Sequence, residues 1–205
     1  MTNFPFTRLD QFNDIEVKNA HKERVLSGNM SEAQFVAESH HFGRDNSRTP
    51  MQWDASPNAG FTSASAHPWL AINPNYTTIN AKQELGDHNS IFEYDRRLIA
   101  LRAQTPAFVY GDFQDLDPAN PHIFAYTRTL IPANAAGRPA GQYLVVLNVS
   151  SEPQIYTLPG DRKSGTLTLS NQPQTSNLPD TTTERNTATL HLAPWEARIY
   201  RQPAP

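Results

Sequence analysis

Apolar positions recur at helical spacing in three stretches of the first hundred residues. The run LDQFNDIEVKNAHKERVL, roughly residues 9–26, spaces Phe12, Ile15, Val25 and Leu26 as the apolar members of a first helix. A short second helix is expected in SEAQFVAESH, where Ser31 and Gln34 stand at capping-box spacing and can each satisfy a free backbone donor of the other. The strongest pattern is SIFEYDRRLIALRAQ. Ser90 and Glu93 open it as a capping box; Ile91, Tyr94, Leu98 and Leu101 form one stripe, with Phe92 and Ile99 beside it, and Pro106 ends it. Between the second and third helices, roughly residues 43–80, there is little period but many aromatics: Trp53, Phe61, Trp69 and Tyr76. An irregular stretch of that length is usually functional, or it packs on something else.

After Pro106 the pattern changes. Short runs read as strands: AFVYG, HIFAYTRTL, QYLVVLNV, QIYTL, GTLTLS, ATLHL and EARIYR. In the second of these, Phe124 and Tyr126 alternate with Ala125 and Thr127, as in a half-buried strand. Eleven of the 17 prolines follow Pro106, as frequent turns require. Strands with hairpin-length gaps predict an antiparallel β-sandwich over residues 107–205, with 170–188 as one long exposed loop. Residues 1–106 hold helices and an aromatic tract with no sheet to pack on, so this half reads as a piece of something larger.

Composition narrows the function. The net charge is -3, so no basic surplus points to nucleic acid, and no basic amphipathic helix or long apolar run points to a membrane. With no cysteine there is no disulfide framework, thiolate metal site or thiol nucleophile. The first residues lack the basic and apolar regions of a secretion signal, so a cytoplasmic location is expected and the sequons NYT (75–77) and NVS (148–150) are expected to be unused. His40 and His41 are adjacent and point apart, which does not make a chelate. Neither a glycine-rich phosphate loop nor a G-x-S-x-G elbow is present. No cofactor and no metal are expected.

Candidate chemistry concentrates in GRDNSRTPMQWD, residues 43–54, where Arg44 and Arg48 lie between Gly43 and Pro50. A planar guanidinium can hold a carboxylate with two N–H groups and still offer others to hydroxyls. Asp45 and Asn46 are expected to tie the loop to itself through Asx turns, and Asp54 to cap it. Trp53, Trp69 and Phe61 could stack on a sugar, but buried packing is the expected fate of such rings. Trp195 is expected in the core or rim of the sandwich.

This loop resembles the segment after the eighth barrel strand in the α-amylase superfamily, glycoside hydrolase family thirteen. The similarity is to the branch of oligo-1,6-glucosidase, dextran glucosidase, trehalose-6-phosphate hydrolase and sucrose isomerase. It continues through NAGFT (58–62), PWLAINPNY (68–76), NSIFEYDRRLIALR (89–102) and VYGDF (109–113), and MTNFPF is similar to the residues just after the last barrel strand. The resemblance implies an α+β chain: the end of a TIM (β/α)8 barrel over 1–106, then a β-sandwich domain C over 107–205. It implies an α-glucosidase-type hydrolase acting on small oligosaccharides by a retaining mechanism, whose nucleophile, acid/base and third carboxylate would all precede Met1. On this reading the chain carries no catalytic residue and is inactive alone. Arg48 would clamp the terminal glucose together with an aspartate from early in the enzyme. Arg44 would line the neighbouring sugar subsite or make a structural salt bridge. Sucrose isomerase, trehalose-6-phosphate hydrolase and a non-catalytic carbohydrate-binding or stabilising sandwich remain alternatives.

Overall fold

The computed structural model describes residues 1–172 and 186–203. Contacts divide the chain into two compact units, Met1–Asp87 and His88–Pro205.

The first unit is built on two helices. A single 3-10 turn at Leu9–Gln11 precedes α1, Ile15–Arg24, and α2 runs over Glu32–Phe42. The one long helix expected over 9–26 is therefore broken at residues 12–14. The Asp14 carboxylate caps α1 by accepting the Glu16 N–H at 3.0 Å, so the helix starts there. The Ser31–Gln34 capping box of α2 is present as expected. Gly43 ends α2 where nothing larger fits: a β-carbon would sit 2.7 Å from the Ser39 carbonyl oxygen and 3.3 Å from the Phe12 ring. Phe4, Phe6, Phe12, Val17, Phe35 and Val36 form the core of this unit. Phe12 and Phe6 stack with centroids 4.2 Å apart. Ile15 and Leu26, expected on the apolar face, are exposed, and Val17 takes the inner position instead.

From residue 43 the chain runs through 3-10 turns at Arg44–Arg48, Pro57–Gly60 and Pro74–Thr77 to a one-turn helix α3, Ala81–Glu84. Hydrogen bonds hold this irregular stretch. The buried Gln52 amide donates to Asn75 Oδ1 and the Ile79 carbonyl, while the Gln52 and Trp53 carbonyls accept the Ala81 and Lys82 N–H groups. Asp54 closes a local turn by accepting the Ser56 N–H at 2.9 Å.

The second unit has three layers. Helices α4, Ile91–Gln104, and α5, Pro106–Tyr110, come first. Among the described residues seven strands follow: β1 Asp112–Asp115, β2 Ile123–Leu130, β3 Gly141–Asn148, β4 Gln154–Thr157, β5 Thr166–Ser170, β6 Thr189–Leu192 and β7 Ala197–Arg201. Every pairing is antiparallel, in a five-stranded sheet β1-β2-β3-β7-β5 and a two-stranded sheet β4-β6. Strand periodicity sorts the side chains onto two faces. Ile123, Ala125, Leu144, Val146 and Tyr200 meet Tyr156, Leu158, Leu190 and Leu192 of the smaller sheet's side. The opposite face carries Val145, Leu169 and Ile199, against which Phe108, Tyr94, Leu98 and Leu101 pack. Three of the four residues of the expected α4 stripe, Tyr94, Leu98 and Leu101, are thus half-buried on the sheet, while Ile91 and the flanking Phe92 and Ile99 are exposed.

The expected strand AFVYG is instead helix α5. Pro106 stands at its first position, where its missing N–H costs nothing, so the proline starts a new helix as well as ending α4. Most of the loop expected over 170–188 lies outside the described residues.

Candidate functional site

The 3-10 turn at Arg44–Arg48 puts two arginines beside two buried carboxylates in the first unit. Asp14 is saturated. Its Oδ1 accepts from Glu16 N at 3.0 Å and Arg44 Nη2 at 2.8 Å; its Oδ2 accepts from Arg44 N at 3.2 Å and Arg44 Nε at 3.1 Å. The Arg44 hydrogen bond outweighs desolvation and lowers the Asp14 carboxyl to a pKa of about 2. Arg44 Nη1 adds a contact to Glu16 at 3.2 Å. The guanidinium is therefore turned almost wholly toward carboxylates.

Asp45 is fully buried. Its Oδ2 accepts the backbone N–H groups of Asn13 at 2.6 Å and Asp14 at 2.8 Å. Its Oδ1 makes no hydrogen bond among the described residues and lies 3.8 Å from Arg48 Nη1. Arg48 itself is 42% exposed. It is held by charge, at a distance too long for a hydrogen bond, and among the described residues its N–H groups have no hydrogen-bond partner.

This corrects the expected Asx turns. Asp45 binds backbone 31 and 32 residues away, and the Asn46 side chain accepts the Phe4 N–H at 3.1 Å and donates to the His40 carbonyl at 2.8 Å. The loop is stitched to the N-terminal segment of the chain, which fixes the floor under Arg48. Asp54 keeps the local capping role expected of it. Sequence reasoning passed over Asp14. The signal was present, an aspartate directly before the apolar-periodic run and two residues ahead of Glu16.

The aromatic rings are not buried as expected. Trp53, Trp69 and Phe61 are exposed at 54%, 65% and 49%, and Trp195 at 61%. Among the sequons, Asn148 is buried with its amide donating to the Glu152 and Ala193 carbonyls, so it is not presented for modification in this fold. Among the described residues no helix is long and apolar enough to cross a membrane.

The sequence profile of the alpha amylase catalytic domain matches residues 10–111. An oligo-1,6-glucosidase of Parageobacillus thermoglucosidasius is 38% identical over 203 residues, 98% of this chain and 33% of the relative. A glucan 1,6-alpha-glucosidase of Streptococcus pneumoniae is 42% identical over 164 residues, 80% of this chain and 28% of the relative. Among solved structures, an isomaltulose synthase variant from Erwinia rhapontici NX5 in complex with D-glucose superposes with a TM-score of 0.81 at 43% identity, over 98% of this chain and 33% of that one. The trehalulose synthase of Pseudomonas mesoacidophila MX-45 gives a TM-score of 0.81 at 38% identity, again over 98% and 33%. The chain spans about a third of the length of these relatives.

Proposed function

Because the chain belongs to the α-amylase family, in its oligo-1,6-glucosidase branch, we propose that it forms the C-terminal part of an α-glucosidase-type glycoside hydrolase. Residues 1–106 would be the end of the (β/α)8 barrel, with α4 its last helix, and 107–205 the domain C sandwich. The intact enzyme would act on α-glucosidic bonds of small oligosaccharides with retention of configuration. Its nucleophile and acid/base would lie in the part of the relatives that this stretch does not cover. A cytoplasmic location goes with this reading.

The observation that carries the proposal is the state of Arg48. Asp14 and Asp45 are both buried, and one is saturated by four donors while the other grips backbone. Neither is presented to a sugar as a nucleophile or proton donor. Arg48 is presented, half in solvent above an anchored anion. That arrangement suits a clamp on sugar hydroxyls rather than bond cleavage. Arg44 would flank the site and keep its floor rigid through Asp14 and Glu16. The similarity to isomaltulose and trehalulose synthases favours sucrose isomerisation as a second reading.

The test joins this chain to the uncovered remainder of the Parageobacillus relative. The chain alone is expected not to hydrolyse 4-nitrophenyl α-glucoside, and the chimera to do so with the α-anomer released first, as proton NMR detects. A folded but inert chimera, or turnover by the chain alone, would contradict the proposal. Isomaltulose formed from sucrose would select the second reading.

A further inference from the structure

A cleft of about 470 Å³ lies within the second unit, between the start of α4 and strand β5. That is inside the range of roughly 300–1,000 Å³ typical of small-molecule sites. One wall carries His88, Asn89, Tyr94 and Arg97; the other is the chain from Leu167 to Gln172. Among the described residues no carboxylate lines it.

Its polar groups are held in place. Arg97 Nε donates to the Glu93 carbonyl at 3.2 Å and Nη2 to the His88 carbonyl at 3.0 Å, while Nη1 lies 2.8 Å from His88 Nε2. A guanidinium can only donate, so that imidazole nitrogen accepts and the ring proton sits on Nδ1. Five guanidinium N–H groups less these three leave donors for a ligand. Burial, and next the charge of Asp95, raise the Tyr94 phenol above its usual pKa, so it stays a neutral hydroxyl that donates and accepts. On the other wall, β5 is the last strand of its sheet among the described strands, and the register breaks between Leu167 and Leu169. Planar donors, hydroxyls and leucine side chains without an anion match a neutral polyhydroxylated ring, whose hydroxyls need partners while its C–H faces need apolar contact.

An independent feature is hydrogen-bonded to a lining residue of this cleft. Trp195 has φ +56, in the left-handed region that a bulky side chain seldom enters, and yet its indole is largely in solvent. Nothing is gained for the core by that strain. The backbone is fixed on both sides: Trp195 N–H donates to the Ser150 carbonyl at 3.1 Å, and its carbonyl accepts from Asn171 Nδ2 at 2.9 Å. Asn171 itself lines the cleft, and its Oδ1 accepts the Ala197 N–H at 2.9 Å. The backbone of Trp195, whose ring is exposed, is thus tied to a residue that lines the cleft.

We propose that this cleft and Trp195 form a binding site for a neutral glucose disaccharide, carried by the described residues of the second unit. The choice of glucose rests on the functional reading above; the fit to a neutral sugar does not. The site gives the C-terminal unit a hold on oligosaccharide independent of Arg48.

The test is a heteronuclear NMR titration of the 205-residue chain with isomaltose, with sorbitol as control. Shifts are expected at the Thr168, Ser170 and Asn171 amides, the Arg97 side chain and the Trp195 indole, with millimolar affinity. Trp195→Gly keeps the left-handed backbone without strain, and Gln172→Ala removes one lining amide. Each should weaken binding, the first by roughly tenfold, with the spectrum still dispersed. A dispersed spectrum with no movement at these groups, or equal shifts with sorbitol, would overturn the site. Shifts confined to Arg44 and Arg48 would overturn it too while leaving the glucosidase reading standing. Xylobiose, a disaccharide without glucose, binding as tightly as isomaltose would overturn the glucose assignment.

Discussion

Asp45 shows how one side chain can set a loop. With no exposed surface, its carboxylate costs free energy to bury, and two backbone donors plus the nearby Arg48 charge offset that cost. Asp45→Ala would strand the Asn13 and Asp14 N–H groups and is expected to destabilise the first unit by about 2–4 kcal/mol in urea unfolding. Asp45→Asn keeps an acceptor and should cost less than half of that. Asp14 gives a pH signature. Its pKa falls from 3.8 unfolded to about 2 folded, chiefly through Arg44, so its contribution is complete above pH 4 and is lost as pH falls toward 2. An NMR titration should find its midpoint near 2, and Arg44→Ala should return it toward the unfolded value. Little of this network was legible in sequence. Local windows suggested Asx turns at Asp45 and Asn46, because nothing within a few residues points to Asn13 or Phe4. Arg44 and Arg48 stood out as two cations between Gly43 and Pro50; the Asp45 beside Arg48 is only three residues away, and it was Asp14, the anchor of Arg44 thirty residues earlier, that distance along the chain concealed.

At the scale of elements, periodicity found what packing enforces and missed what caps decide. Strands β2 to β7 coincide with the apolar runs, since each places alternate residues in one of two cores. Strand β1, the polar DFQD, had no such signal; it is defined by pairing with β2. The AFVYG run has strand-like composition, but a proline at its first position favours a helical start. The Ser31 cap was legible from spacing alone, and Ser31→Ala should lower stability by about 1 kcal/mol. Between the sheets, the Tyr156 hydroxyl is buried with no hydrogen-bond partner among the described residues, and desolvation pushes its pKa up to about 12. Tyr156→Phe should therefore be neutral or stabilising by up to ~1 kcal/mol in thermal unfolding. The Glu196–Arg198 pair behaves oppositely. Burial opposes the Arg198 charge, but hydrogen bonds with Glu196 and Tyr200 outweigh it and raise its pKa. Both side chains are almost wholly buried, with Arg198 Nε donating to Glu196 Oε1 at 2.7 Å. Glu196→Ala leaves a buried cation and should cost about 3–5 kcal/mol.

At the scale of the whole molecule, each unit has its own core and leaves large apolar side chains exposed, Ile91, Phe92 and Trp195 among them in the second. The second closes three layers around two cores. The first leaves Ile15, Phe42, Trp53 and Trp69 exposed beside a small core of phenylalanines. The chain spans about a third of the relatives' length, and the sequence suggested helices and aromatics without a sheet in the first half. It did not show that Trp53 and Trp69 stay in solvent within this chain, because composition marks a ring as apolar and not where its partner lies. Arg48 above Asp45 is the proposed sugar clamp. The direct measurement is kcat/KM for isomaltose in the chimera with the Parageobacillus remainder, comparing Arg48→Ala with Arg201→Ala, a substitution at an exposed arginine of β7. Losing a charged hydrogen bond to the substrate should reduce kcat/KM roughly 10- to 150-fold, while Arg201→Ala leaves it within about twofold. Equal, small effects from both, in variants that fold alike, would contradict the account.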